Sequence, residues 1–133
     1  MEFESKILSK SISEMLYNSD KTLGTAESCT GGRIADAIIS VPGASDYFKG
    51  GIVSYTNEVK ESILGVSHQV LEEQTAVCEE VAKEMVIGAI KALNVDYAVS
   101  ATGVAGPTGG TPEIPVGTIW IGYGSKDEVR TVK

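Results

Sequence analysis

The hydrophobic pattern of the chain alternates between helix-like and strand-like stretches along most of its 133 residues. Apolar residues that recur every three or four positions predict amphipathic helices, and short apolar runs between turn residues predict strands. Glycine- and proline-rich stretches at residues 102–115 and a loop at residues 44–49 interrupt the pattern. The predicted helices span residues 4–19, 31–41, 57–65, 67–73 and 79–93, and the predicted strands span residues 22–26, 51–55, 97–101, 116–123 and 128–133.

The alternation of strands and helices predicts an α/β fold, specifically a three-layer α/β/α sandwich with a mixed, mostly parallel sheet. The run at residues 97–101 consists of small and apolar residues, which suits a strand covered on both faces. The last two predicted strands are joined by a short turn at residues 124–127, so we expect them to be antiparallel. A chain of this length is expected to form one domain, residues 1–133.

Charge and composition restrict the function. The formal net charge is −7, with 11 basic residues scattered among 18 acidic ones, which disfavours binding to nucleic acid. No apolar run is long enough to cross a bilayer, and the first residues lack the pattern of a signal peptide, so we expect a cytoplasmic protein without a membrane partner. Cys29 and Cys78 have no zinc-site spacing, so we expect free thiols and no metal.

Residues 25–32, Thr-Ala-Glu-Ser-Cys-Thr-Gly-Gly, lie between a predicted strand and a predicted helix. Ser28, Cys29 and Thr30 would therefore stand at a helix start, where backbone N–H groups favour an oxyanion or a phosphate. Gly31 and Gly32 would let another molecule approach the backbone closely. Ser28 could instead be an ordinary helix N-cap, and Cys29 could be either a competing nucleophile or a buried inert thiol.

Lys60 follows the strand predicted at residues 51–55. It is either a solvated helix lysine or, if desolvated beside Ser28, a general base, because Ser–Lys pairs are an established nucleophile–base arrangement. Tyr55 and Asn57 bracket the same turn. Tyr55 could relay a proton, hold Lys60 or stack on a planar substrate, or it could be an ordinary strand residue with a solvated hydroxyl. Thr56 or Asn57 could cap the helix that follows, and Asn57 could instead contact a ligand.

The glycine-rich loop at residues 102–111 resembles a phosphate cradle but lacks both the lysine of a Walker motif and the glycine spacing of a dinucleotide fold. It is therefore either a generic anion-binding loop or a structural loop. His68, the single histidine, is expected at the surface. The loop residues that we expect to contact a ligand are Thr102, Gly103, Gly106, Thr108, Gly109 and Gly110.

The chain resembles the CinA C-terminal domain family, whose stand-alone members include the PncC-type nicotinamide mononucleotide amidases. The matching motifs follow family order through most of the chain. They lie at residues 26–32, 41–43, 50–60, 64–66, 102–107 and 115–118.

This resemblance implies hydrolysis of nicotinamide mononucleotide to nicotinate mononucleotide and ammonia, in pyridine nucleotide recycling, without metal or cofactor. By motif position, Ser28 is the nucleophile, Lys60 the general base and Tyr55 a member of the same site. Cys29, Thr30, Gly31, Gly32 and Asn57 join the glycine-rich loop as candidate substrate contacts. The resemblance further suggests that the family's last sheet element and final helix are missing here.

Two alternatives remain at this point: a non-catalytic nucleotide-binding module with the same pocket, and a competence- or damage-related interaction domain. The expected partners are a small-molecule nucleotide and, because sheet edges favour pairing, further copies of the same chain.

Overall fold

The computed structural model describes residues 2–133, which form five strands and five α-helices. A 3-10 turn at Ala44–Asp46 precedes the second strand. In chain order the elements are α1 (Phe3–Leu16), β1 (Leu23–Glu27), α2 (Arg33–Ile39), β2 (Phe48–Val53), α3 (Asn57–Leu64), α4 (His68–Gln74), α5 (Glu79–Leu93), β3 (Tyr97–Gly103), β4 (Ile119–Ser125) and β5 (Val129–Val132).

The five strands form one mixed sheet with the order β2-β1-β3-β4-β5. Strand β1 pairs in parallel with both β2 and β3, whereas the pairs β3–β4 and β4–β5 are antiparallel. The α/β sandwich with a mixed sheet is therefore confirmed, as is the antiparallel arrangement of the last two strands.

Helices cover the sheet on both faces because successive strand residues point to opposite sides. On one face, Leu23 of β1 packs with Ile38 of α2 and with Ile12 and Leu16 of α1. On the other face, Ala26 lies in a cluster with apolar residues of α3, α4 and α5. No helix within residues 2–133 is both long and apolar enough to span a lipid bilayer.

Several strand boundaries differ from the sequence prediction, and the starts of β2 and β4 differ most. Strand β3 also continues to Gly103, so residues 102 and 103 belong to the strand and not to the predicted loop. Strand β2 begins at Phe48 instead of residue 51, since Phe48 already pairs with Leu23, and it ends at Val53. The glycines in this run are part of the strand: a Cβ on Gly51 would collide with the Thr25 hydroxyl of β1. Strand β4 begins at Ile119 instead of residue 116, because the N–H of Gly117 donates to the Val104 carbonyl in the preceding loop, at 2.7 Å, and not to a neighbouring strand.

The carboxyl ends of the three parallel strands lie together at one edge of the sheet. Helices α2 and α3 begin just beyond β1 and β2, and the glycine-rich loop follows β3. In open α/β sheets, ligands bind at this edge.

Candidate active site

The side chain of Lys60 reaches Ser28 across the junction between α3 and the end of β1. Thr56 caps α3 by accepting from the Val59 N–H at 3.3 Å, and this places Lys60 on the first turn of the helix. The Nζ of Lys60 lies 2.9 Å from the Ser28 Oγ. It also donates to two backbone carbonyl oxygens, that of Ser54 at 2.8 Å and that of Tyr55 at 3.2 Å. The predicted Ser–Lys pair is therefore present as a direct contact.

Burial changes the acid–base behaviour of this amine. Lys60 is 1% exposed, and the loss of water around Nζ lowers its pKa because a low-dielectric environment disfavours the charged form. The residue is not the solvated helix lysine of the alternative interpretation. A lowered pKa increases the fraction of neutral amine, which is the form that accepts a proton.

Ser28 is fixed by its backbone. Its N–H donates to the Ala101 carbonyl of β3 at 2.9 Å, and its carbonyl accepts from the Gly31 N–H at 3.1 Å. The residue is 7% exposed. Ser28 is not the N-cap of α2, because that position is Gly32, which has no side chain with which to cap the helix. The Ser28 hydroxyl is therefore not used as a helix cap and contacts Lys60 instead.

Glu27 is a site-adjacent residue that the sequence reasoning did not single out. Its carboxylate, 1% exposed, accepts from the N–H groups of Gly32 at 3.2 Å, Ile34 at 2.9 Å and Ala35 at 3.0 Å. The start of α2, where we expected a ligand's anion, is thus occupied by the protein's own carboxylate. An acidic residue shortly before a helix start was the available sequence signal.

Cys29 lies beside the pair, but its environment holds the thiol in its protonated form. Burial raises the pKa of Cys29, and this effect outweighs the opposing influence of nearby N–H groups and of Lys60. Because the thiolate is the nucleophilic form of cysteine, Ser28 is the better candidate nucleophile.

A cleft of about 410 Å³ opens above Ser28 and Lys60. Most of the predicted contact residues line it, but Thr30, Gly31, Gly32 and Gly110 are not among the lining residues. Ala76, Val104 and Ala105 line the cleft without having been predicted as contacts. The predicted residues that line it are Ser28, Cys29, Tyr55, Asn57, Lys60, Thr102, Gly103, Gly106, Thr108 and Gly109.

The two residues that bracket the Lys60 turn differ in what they contribute. Tyr55 is 74% exposed at the cleft, and its backbone carbonyl is the group that contacts Lys60. Asn57 lies at the cleft and does not cap α3, since Thr56 supplies that bond. Asn57 therefore keeps its side chain available to the cleft.

The glycines of the glycine-rich loop serve its backbone conformation and its packing, and not only access for a ligand. Gly106 and Gly109 have φ values of +85° and +95°, which favour glycine. A Cβ on Gly110 would lie 2.6 Å from the Val116 nitrogen, so this glycine serves the packing of the loop. Thr102, which lies in β3 and not in the predicted loop, is buried and donates to the Ala76 carbonyl at 2.8 Å, which ties the end of this strand to the segment before α5.

Residues 2–133 contain no cluster of His, Cys, Asp and Glu side chains suited to a metal ion. The His68 side chain is 69% exposed and lies 3.0 Å from the Glu61 carboxylate. Its surface position agrees with the prediction.

The family sequence model of the CinA C-terminal domain matches residues 5–133 of this chain. The chain belongs to this family. A CinA-like protein of Leptospira borgpetersenii is 56% identical over 114 residues, which cover 86% of this chain and 27% of that protein. A CinA-like protein of Cytophaga hutchinsonii is 44% identical over 131 residues, 98% of this chain and 31% of the relative. The chain thus spans under a third of the length of these curated relatives.

Two solved structures share the fold of this CinA domain closely. The competence/damage inducible protein CihA from Agrobacterium tumefaciens superposes with a TM-score of 0.96 at 34% identity, covering 99% of this chain and 81% of that one. A competence-damaged protein (CinA) superfamily protein from Escherichia coli gives a TM-score of 0.91 at 36% identity, covering 99% and 78%. The family resemblance inferred from the motifs is confirmed.

Proposed function

We propose that this CinA domain is an amidohydrolase in which Ser28 is the nucleophile and Lys60 the general base. The observation that carries the proposal is the contact of 2.9 Å between the Lys60 Nζ and the Ser28 Oγ, made by a buried amine whose pKa is lowered. A neutral amine has two N–H groups and one lone pair. The carbonyl oxygens of Ser54 and Tyr55 can only accept, so they engage both N–H groups and leave the lone pair for the Ser28 hydroxyl.

The reaction then proceeds through an acyl-enzyme. Lys60 takes the Ser28 proton while the Ser28 Oγ attacks the carboxamide carbon of the substrate. We assign the resulting oxyanion to the N–H group of Cys29, the residue after the nucleophile, because Cys29 lines the cleft and Glu27 already engages the N–H groups at the start of α2. Lys60 returns the proton to the departing nitrogen, and ammonia leaves. Lys60 then deprotonates a water molecule, which attacks the ester carbon, and the proton passes from Lys60 to the Ser28 Oγ as the acid leaves.

We propose nicotinamide mononucleotide as the substrate, as the family resemblance implies. Its pyridinium ring withdraws electrons from the carboxamide, which makes the carbonyl carbon a better electrophile. A cleft of about 410 Å³ is within the ordinary range for small-molecule sites. The exposed ring of Tyr55 could stack on the cationic pyridinium, and the loop that contains Thr108 offers polar groups to the ribose and phosphate.

The test is ammonia release from nicotinamide mononucleotide, with the mass of the product measured in parallel. We expect turnover in the wild type and in Cys29→Ala, and a loss of at least about a thousandfold in Ser28→Ala and Lys60→Ala, because removal of a nucleophile or its base abolishes the covalent route. Circular dichroism of each variant checks folding.

Other outcomes would favour different functions. Loss of turnover only in Cys29→Ala would make the thiol the nucleophile. A folded wild type that binds the nucleotide, seen as a rise in Tm, without turnover would indicate a binding module. A protein partner retained by the Ser28→Ala and Lys60→Ala variants, without nucleotide binding, would favour the interaction domain.

A further inference from the structure

We propose that Glu27 is a positioning residue that fixes the Ser28–Lys60 pair from the opposite face of the sheet; this inference rests on the proposed function. Successive residues at the end of β1 point to opposite faces. The carboxylate of Glu27 therefore extends toward α2, whereas the hydroxyl of the next residue, Ser28, meets Lys60 on the face covered by α3 and α5.

The carboxylate of Glu27 uses both oxygens on the start of α2. One oxygen accepts from Gly32 and Ile34, and the other accepts from Ala35. The turn that contains Ser28 runs directly from Glu27 into this helix, so the three bonds close a loop around the nucleophile. A buried carboxylate with three N–H donors is well satisfied, which makes this anchor rigid.

The backbone of Glu27 anchors the other half of the pair. Its carbonyl oxygen accepts from the Ser54 N–H at 2.7 Å and from the Ser54 hydroxyl at 3.3 Å. Ser54 is fully buried, and its own carbonyl oxygen receives the Lys60 Nζ. Glu27 thus belongs to a closed hydrogen-bonded circuit that runs through Ser54 and Lys60 to Ser28 and back along the chain.

A small shift of Ser28 would lengthen its contact with Lys60 and misdirect the attack. Displacements of about 1 Å at a reacting group can cost on the order of a hundredfold in rate. In Glu27→Gln the shape is kept, but the amide NH₂ would face the N–H of Ala35 instead of accepting from it, so the turn must move. The change affects geometry and leaves the Lys60 amine itself intact.

The experiment measures phosphonylation of Ser28 by a fluorophosphonate reagent, followed by intact-mass spectrometry across a pH range. The Ser28 Oγ–phosphorus bond forms, fluoride leaves and Lys60 takes the proton. We expect Glu27→Gln to react about 10- to 100-fold more slowly than wild type at high pH, as expected for misplacement of a reacting group, with the same pH midpoint. Glu27→Asp keeps an acceptor carboxylate, although a shorter one, and should react at an intermediate rate.

Two control variants separate positioning from loss of stability. Asp96→Asn makes the same carboxylate-to-amide change at the other end of β1, where Asp96 accepts from the N–H and hydroxyl of Thr22. Ile38→Ala weakens the packing of α2 without touching its start. Both should react at the wild-type rate per folded molecule, even where the Tm falls.

The outcomes distinguish the positioning role of Glu27 from the proposed role of Ser28 as nucleophile. Wild-type labelling at Ser28 with an equal rate in Glu27→Gln overturns the role of Glu27 and leaves the nucleophile in place. A slowing in Ile38→Ala equal to that in Glu27→Gln at a matched Tm also overturns it, because stability alone would then explain the effect. A folded wild type that is not labelled at Ser28 overturns the proposed function and this inference with it.

Discussion

The proposed role of Lys60 as a general base depends on where its amine lies and not on the residue type alone. Burial removes the water that stabilises an ammonium ion, and the Ser54 and Tyr55 carbonyl oxygens direct the remaining lone pair toward Ser28. Cys29, the adjacent residue, is affected by burial in the opposite sense, because desolvation raises the pKa of a thiol. The same low-polarity environment therefore favours a neutral base and disfavours a competing thiolate.

The pH dependence of acylation follows from the lowered pKa of Lys60. Below that pKa the amine is an ammonium ion and cannot take the Ser28 proton, so the rate should fall as the pH decreases through it. The rate of single-turnover acylation, measured from neutral to alkaline pH, should reach a plateau at a pH below the usual lysine range. Lys60→Arg, which stays charged, should show no plateau. A wild-type midpoint in the ordinary lysine range would contradict the assignment of Lys60 as a desolvated base.

Helix α3 holds Lys60 in place through close contact with α5. Gly88 lies inside α5, where a glycine costs about 1 kcal/mol relative to alanine. A Cβ at this position would collide with the carbonyl group of Leu64 at the end of α3. The glycine therefore permits the two helices to approach, and the position of α3 depends on it.

Gly88→Ala should accordingly destabilise the fold and weaken catalysis together. The added methyl group meets backbone, which cannot rotate away, so we expect a loss of about 1–3 kcal/mol in the free energy of unfolding. Urea unfolding measures this loss, and the turnover number reports the displacement of Lys60. Ile87→Ala, at the neighbouring half-exposed position, is the matched control and should change neither quantity much. A Gly88→Ala protein with unaltered stability would contradict the packing argument.

The two edges of the sheet are the surfaces at which we expect copies of the chain to associate. Strands β2 and β5 form the two edges, and Val53 and Val132 on them are 51% and 52% exposed. Unprotected sheet edges favour pairing with another chain. Repulsion between chains with a net charge of −7 opposes this pairing, and salt weakens the repulsion by screening it.

We therefore expect reversible self-association that strengthens with salt, measured by sedimentation velocity over a range of protein concentrations. Val132→Lys should weaken it if β5 is the pairing edge, and Val53→Lys should weaken it if β2 is. A single monomeric species at every concentration and salt level would contradict the expected homo-oligomer.

Local patterns in the sequence determined most of the elements. The periodic apolar positions of α5 predicted its bounds, and the Thr56 cap and the motif around Ser28 indicated the junctions where the site would form. Those features are local, since they depend on residues within a few positions of one another. The starts of β2 and β4 were misplaced because they depend on tertiary contacts, namely the pairing of Phe48 with Leu23 and the hydrogen bond from the Gly117 N–H to the Val104 carbonyl.

Only the tertiary structure decided the geometry of the candidate site. Ser28 and Lys60 are 32 positions apart, and parallel pairing of β1 with β2 is what brings their turns together. Burial of the Lys60 amine, and with it the lowered pKa, results from the packing of one side of α3 against α5 and from the contacts of Nζ with Ser28 and Ser54. The hydrogen bonds of Glu27, on which its proposed positioning role rests, could not be predicted from the sequence, because they depend on which N–H groups surround the carboxylate once the chain has folded.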